Sequence, residues 1–235
     1  MSEKQILITG SNSGLGRYLC DHFPDAEKLN RDNGNSILNS NNKYDYIIHC
    51  AVDKGNSQSC MVQNVDLTTR LCSLAKTKLI FMSSIDVYRK ENSFYIDAKK
   101  RCEDIVQTAN KNNLSIRLCA MLGKYIQKNS IQRILLGETD SVTLDLDSSF
   151  YYCNHSHVLE FIKIAMHENI SGIIDFVPAS KTHLYDFYTE PVKSNEGRYK
   201  YESPDVDNSA LSKYMPDFAS RSSESIVREF AKKYC

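Results

Sequence analysis

An apolar run, QILITG (5–10), passes directly into SNSGLG (11–16) and then into helix-like spacing. Few features constrain a chain more. Gly10, Gly14 and Gly16 permit a tight turn and close backbone approach, which a Cβ would obstruct. A helix starting here points its free N–H groups and positive dipole end at whatever rests on the turn. Leu15, Leu19, His22 and Phe23 share one face of a helix expected over 14–23, with Pro24 just past its end. Three glycines alone say little. Between a buried strand and a helix, at the head of an alternating chain, they point to a pyrophosphate cradle, with an ordinary strand–helix turn as the plain alternative.

The alternation continues. AEKLN (26–30) is a weak strand, RDNGNSILNSNN (31–42) reads as loop, and YDYIIHCAV (44–52) is a strong strand. Leu67, Leu71, Leu74 and Ala75 set a helix within 64–76, and KLIFMSS (78–84) is the next strand. A helix over 94–110 buries Ala98, Cys102, Ile105, Val106 and Ala109, and LSIRLCAML (114–122) reads as one strand. Val158, Ile162, Ala165 and Met166 mark a later helix, and GIIDFV (172–177) a late strand. The expected fold is therefore α/β, a Rossmann-like doubly wound parallel sheet. Residues 1–150 form mainly the dinucleotide-binding core. Residues 151–235 complete it and add a small substrate-binding elaboration, drawn from the polar stretch 181–220.

Lys and Arg number 29 against 29 Asp and Glu, so net charge gives no basis for binding nucleic acid or an anionic membrane. The apolar runs fall far short of the roughly 18 residues a membrane helix needs. MSEKQILITG lacks a basic region followed by an apolar leader, so a cytoplasmic location is expected. The eight cysteines form no CxxC pair and mostly sit in apolar stretches, which reads as reduced structural thiols. His155 and His157 have no Cys or acidic cluster beside them, so no metal site is expected.

Two further patterns bear on chemistry. After the second strand comes Leu29-Asn30-Arg31-Asp32. Asn30 stands where an acid would meet the adenosine ribose, and Arg31 suits a 2′-phosphate. That favours NADP, while Asp32 leaves NAD as the other option. Tyr95 and Lys99 are one helical turn apart, so phenol and ammonium share a face. The ammonium is expected to lower the phenol pKa and make Tyr95 a proton donor or acceptor near neutral pH.

The order of these motifs resembles the short-chain dehydrogenase/reductase superfamily, in particular its extended branch of nucleotide-sugar epimerases, dehydratases and reductases. TGSNSGLG matches the glycine motif, with the spacing of the single-domain branch. YDYIIHCAV resembles the D-x-V-I-H-x-A-A strand through Asp45, His49 and Ala51, and Asn64-Val65 the N-V-x-G-T helix start. LIFMSSIDVY resembles the strand that supplies the catalytic Ser or Thr, and Tyr95 and Lys99 match YxxxK. Arg117 in IRLCAMLG resembles R-P-x-x-V-x-G, and the C-terminal stretch resembles the K-x-x-x-L-G-W-x-P ending.

The resemblance implies that Ser84 bonds the substrate oxygen, Tyr95 is general acid/base there, and Lys99 holds the nicotinamide ribose. It implies that Gly10, Ser11, Asn12, Gly14, Leu15 and Gly16 meet the pyrophosphate and Arg31 the adenosine phosphate, with Ala51 and Asn64 beside the cofactor. Such members exchange hydride between nicotinamide and a carbinol or carbonyl carbon. They often dimerise through the YxxxK helix, although Lys100, Arg101, Glu103 and Asp104 give that helix a charged outer side.

Some positions depart from the pattern. Only ten residues separate Ser84 from Tyr95, Arg89 replaces a Gly, Leu118 replaces a Pro, and the third strand–helix unit is abbreviated. Ser84 is followed by Ile85 and Asp86, so the Asp-Glu pair of 4,6-dehydratases is incomplete. The expected activity is reduction of a keto group on a nucleotide sugar, similar to dTDP-4-dehydrorhamnose reductase. A nucleotide-sugar epimerase and a non-catalytic NADP(H) sensor are the alternatives.

Overall fold

The computed structural model describes residues 4–188 and 199–234. Its strands in chain order are β1 (Ile6–Thr9), β2 (Glu27–Leu29), β3 (Tyr44–His49), β4 (Ala75–Ser84), β5 (Leu114–Leu118), β6 (Ala120–Leu122), β7 (Ser149–Phe150), β8 (Tyr152–Asn154), β9 (Gly172–Phe176) and β10 (Thr182–His183). The helices are α1 (Gly14–His22), α2 (Gly34–Leu38), α3 (Gln58–Leu74), α4 (Phe94–Ala109), α5 (Ser130–Leu135), α6 (His155–His167), α7 (Ser209–Ser212), α8 (Pro216–Ala219) and α9 (Ser223–Tyr234).

The central sheet runs β2-β1-β3-β4-β5-β9, and every pairing in it is parallel. Both its faces are covered, so Leu7, Ile8, Ile47, Ile48, Leu79 and Ile80 are all fully buried. One face packs Ile8, Ile48 and Ile80 against Leu15, Leu19 and Ile162 of α1 and α6. The other packs Leu7, Ile47 and Leu79 against Leu71 of α3 and Val106 of α4. The chain winds one way from β1 to β2 and the other way from β3 onward. A doubly wound sheet opens a crevice at that reversal, outside the carboxyl ends of the strands.

Several elements differ from the sequence expectation. The loop after β2 contains α2, five residues pinned by the buried Ile37. It takes the place of a full third strand–helix unit. Helix α3 starts at Gln58, well before residue 64, because the Ser57 side chain accepts from Cys60 N at 3.3 Å and caps it. The run at 114–122 is two strands. β5 belongs to the central sheet, whereas β6 pairs with β8, the break falling at Cys119. On α4, Ala109 is exposed and Ile105 only half-buried, while Lys99 and Glu103 are buried. β9 lies in the second half of the chain and completes the sheet. The described part of 181–220 carries β10, α7 and α8; residues 189–198 of that stretch lie outside the described residues. Seven cysteines are free thiols, three of them only half-buried, and Cys235 lies outside the described residues.

Buried polar groups join these layers. Lys78 is fully buried, and its Nζ donates to Ala165 O at 3.3 Å and Ile170 O at 2.8 Å, capping the C-terminal end of α6. Burial holds its pKa down to about 8. His49 bridges Thr9 (2.8 Å) and Thr68 (3.1 Å), and burial depresses it to about 3. Burial likewise depresses His155 and His157 to about 4. These bases stay neutral in the folded chain but take a proton in the unfolded chain below its ordinary value of 6.5. Stability is therefore full above 6.5 and falls as pH drops toward 4, with uptake approaching three protons on unfolding. Urea midpoints measured across that window test this; midpoints independent of pH there contradict it.

Candidate active site

Three strand ends build the crevice. Gly10 follows β1 with φ +71°, and Gly14 opens α1 with φ +53°, both in the left-handed region. A Cβ on Gly10 would lie 2.9 Å from Ala51 N, and one on Gly16 2.3 Å from Gly10 O. The turn therefore closes directly on the end of β3 and on the first turn of α1. Gly16→Ala is expected to cost about 1–3 kcal/mol by forcing these backbones apart. Thermal unfolding checks it, and an unchanged midpoint contradicts the packing.

A cavity of about 690 Å³ opens over this turn, walled by Gly10, Asn12, Gly14, Arg31, Ala51 and Asn64 among others. The sequence-expected residues divide around it. Those six line it. Ser11 is buried, its hydroxyl donating to Leu29 O at 3.3 Å, and Leu15 and Gly16 are buried within α1. They shape the turn from behind. Asn64 acts as a clamp, accepting from Asp53 N at 2.8 Å and donating to Asp53 O at 2.9 Å. Gly14 N–H already donates to Tyr125 O at 2.8 Å, so this end of α1 has one fewer free donor than an open turn. Asn30 accepts from Asp32 N and Asn33 N, fixing a turn that leaves Arg31 on the cavity wall. Asp32 is not among the described wall residues.

The sequence reading missed Leu29, Leu38 and Leu67, which give the cavity an apolar wall, and Met121 and Ile126. The leucines carry only ordinary core spacing. Met121 and Ile126 arrive from the far side of the switch point, which no local pattern announces.

Ser84 ends β4 and Tyr95 opens α4. The Ser84 Oγ bonds Asp86 Oδ2 at 3.2 Å and accepts from Asp86 N at 3.2 Å. The expected lowering of the Tyr95 pKa is not found. Burial and then the Asp86 charge push its phenol up to about 12, against a smaller opposing hydrogen bond from Ser84. Lys99 does not offset this. It lines a small separate pocket that shares Ala51 and Asn64 with this cavity, its Nζ donating to Met82 O at 2.7 Å and standing 5.8 Å from the Tyr95 ring centre. Burial lowers the Lys99 pKa to about 8. Ser83, its neighbour on β4, points into a buried ion-pair network, donating to Glu103 Oε1 at 2.5 Å. Glu103 therefore belongs to the interior of α4 rather than to its charged outer side. Among the described residues no cluster of three or more His, Cys, Asp or Glu is placed to hold a metal, and no helix is long and apolar enough to cross a membrane.

No protein-family model matches the sequence, and no curated protein matches it at a significant level. Solved structures do match along nearly the whole length. A dTDP-4-dehydrorhamnose reductase from Yersinia enterocolitica shares 19% identity at a TM-score of 0.76, covering 99% of this chain and 100% of that one. A UDP-N-acetylglucosamine 4-epimerase from Bacillus cereus shares 18% at 0.71, covering 98% and 99%. A dTDP-4-dehydrorhamnose reductase from Bacillus anthracis, solved in complex with NADP, shares 15% at 0.73, covering 99% of each chain. What is shared at such identities is the architecture: this chain has the Rossmann-like α/β fold of these nucleotide-sugar enzymes.

Proposed function

We propose that this chain is an NADP(H)-dependent oxidoreductase that reduces a keto group on a nucleotide-activated sugar. One juxtaposition carries the reading: the glycine-turn cavity and the Ser84–Tyr95 pair stand at the carboxyl edge of the same parallel sheet. The glycine approach to Ala51 supports a pyrophosphate there, since only backbone without a Cβ comes so close. Arg31 on the wall supports a 2′-phosphate, and the apolar Leu29, Leu38 and Leu67 support an adenine. The folds shared with a reductase and an epimerase of nucleotide sugars support the substrate class.

The nicotinamide, when bound, exchanges hydride with carbon. The chain's own groups handle the oxygen. Ser84 donates to the substrate oxygen as charge develops, and Tyr95, protonated at neutral pH, gives it a proton. A phenol held in its acid form suits reduction, because the carbonyl oxygen must gain a proton. An epimerase must first take a proton from a carbinol, which favours a lower phenol pKa. Lys99 supplies a buried ammonium under this pair and steadies the end of β4 through Met82 O. That engagement of Lys99 also favours a second reading, NADP(H) binding without turnover. NADPH consumption with UDP-, dTDP-, GDP- and CDP-linked keto sugars separates the two. Binding with carbonyl-dependent oxidation is expected. Binding without oxidation leaves the sensor, and no binding of either dinucleotide overturns both.

A further inference from the structure

Asp86 is the hub of a cluster that the proposed reaction does not yet use. Its Oδ2 meets the Ser84 hydroxyl at 3.2 Å, while its Oδ1 accepts from the Tyr201 hydroxyl at 2.6 Å. Tyr201 comes from a segment far along the chain, 199–203, which is stitched down by backbone bonds. Ser149 N donates to Tyr201 O at 2.9 Å and Ser203 N to Ser149 O at 3.0 Å. The Tyr201 ring stacks on Phe150 at 4.5 Å and carries the Arg89 guanidinium 4.4 Å from its centre. Arg89 also reaches Asp86 Oδ1 at 3.9 Å, the Tyr199 hydroxyl at 2.5 Å and Glu91.

We propose that Asp86 is a positioning residue of the Ser84–Tyr95 site, its carboxylate held in place by Tyr201 of the 199–203 segment and by Arg89. The proposal rests on the reductive reading above and deepens it. With one oxygen on Tyr201 and the other on Ser84, the carboxylate cannot swing away, so the Ser84 hydroxyl is anchored until its single proton turns from Asp86 to the substrate oxygen. The same fixed negative charge opposes ionisation of Tyr95. Around Asp86 the facing groups are Ser84, Arg89, Tyr201 and Tyr95; around Tyr95 they are Ser84, Asp86 and the Lys99 ammonium. Arg89 partly offsets the Asp86 charge but is shared with Glu91. Lys99 is turned to Met82 O. Asp86 is thus the charge that opposes ionisation of the phenol, and its bond to Tyr201 fixes where it sits. A substrate that displaced Tyr201 would release the carboxylate and change the proton-donor site with it.

The test needs neither cofactor nor substrate, so its failure is separable from failure of the reductase reading. A difluorotyrosine at position 95 brings the phenol into a range the folded chain tolerates, and fluorine NMR reports its titration. Asp86→Asn is expected to lower the midpoint by about one unit or more, with Asp86→Glu restoring most of it. Tyr201→Phe keeps the ring on Phe150 but removes the hydroxyl that anchors the carboxylate, so Asp86 is free to swing from the site, and the midpoint is expected to move in the same direction as with Asp86→Asn, by a smaller amount. A midpoint unmoved by Asp86→Asn overturns the proposal, as does a Tyr201→Phe midpoint that is unmoved or shifted the opposite way. Should Asp86→Asn not fold, Tyr201→Phe decides: an unmoved midpoint in it overturns the proposal.

Discussion

Tyr95→Phe is expected to lower carbonyl-dependent NADPH oxidation by about two to four orders of magnitude, the usual worth of a positioned proton donor. The substitution removes one hydroxyl and leaves the ring that opens α4 in place. Dinucleotide binding at the glycine turn is expected to stay within about a factor of two, because Tyr95 is not among the described residues of that cavity wall. Initial rates at saturating NADPH, with fluorescence titration of the same preparations, separate the two quantities. A variant that keeps parental turnover removes Tyr95 from the chemistry. A variant that loses binding and rate together shows a disturbed fold instead.

The largest effect on stability is expected at Glu103, one turn beyond Lys99 on α4. Its Oε1 accepts from Ser83 at 2.5 Å and from Arg117 Nε at 3.0 Å, and its Oε2 from Arg117 at 2.7 Å. Arg117 in turn donates to the Tyr88 hydroxyl at 2.7 Å, which donates to Asp175 Oδ2 at 2.8 Å. The chain of bonds ties β4, α4, β5 and β9 together. Glu103 raises the Arg117 pKa further above its ordinary value, and burial raises that of Asp175. Glu103→Ala takes the bidentate partner from a guanidinium with little solvent to receive it, leaving it the Asp175 carboxylate at 3.8 Å, and is expected to cost about 3–5 kcal/mol in urea unfolding. Replacing Glu103 and Arg117 together by methionine is expected to recover part of that loss, because the guanidinium is no longer left over, while Asp175 keeps the Tyr88 hydroxyl but loses Arg117 at 3.8 Å. A double variant as unstable as Glu103→Ala contradicts this account.

Five of the six strands of the central sheet were legible because each holds a short apolar run that cannot be left in water, whereas β2 buries only Leu29; all six overlap the segments the pattern marked, with β4 starting earlier and the 114–122 run breaking at Cys119. The glycine turn was legible because a Cβ is sterically excluded from it, and that exclusion is written in residue type alone. Less was visible where a residue's partners are distant. Glu103 looked like one more charge on a solvated helix, and only the approach of Arg117 from β5 makes it interior. The one-turn spacing of Tyr95 and Lys99 places both groups on one face, but spacing does not say what else shares the space. Met82 O takes the ammonium, and the Asp86 charge works against ionisation of the phenol.

By itself, then, the sequence determined the order of the central strands and of α1, α3, α4 and α6, the place where backbone without a Cβ comes close, and which hydroxyl and phenol sit at that edge. These follow from hydrophobic period and from steric exclusion, both local. Tertiary structure alone decided the electrostatic setting. Tyr201, brought from more than a hundred residues away to Asp86, and Arg117, brought to Glu103, fix which charges are neutralised and which remain. Coulombic and hydrogen-bond energies depend on distances across the fold, and no spacing along the chain encodes those distances.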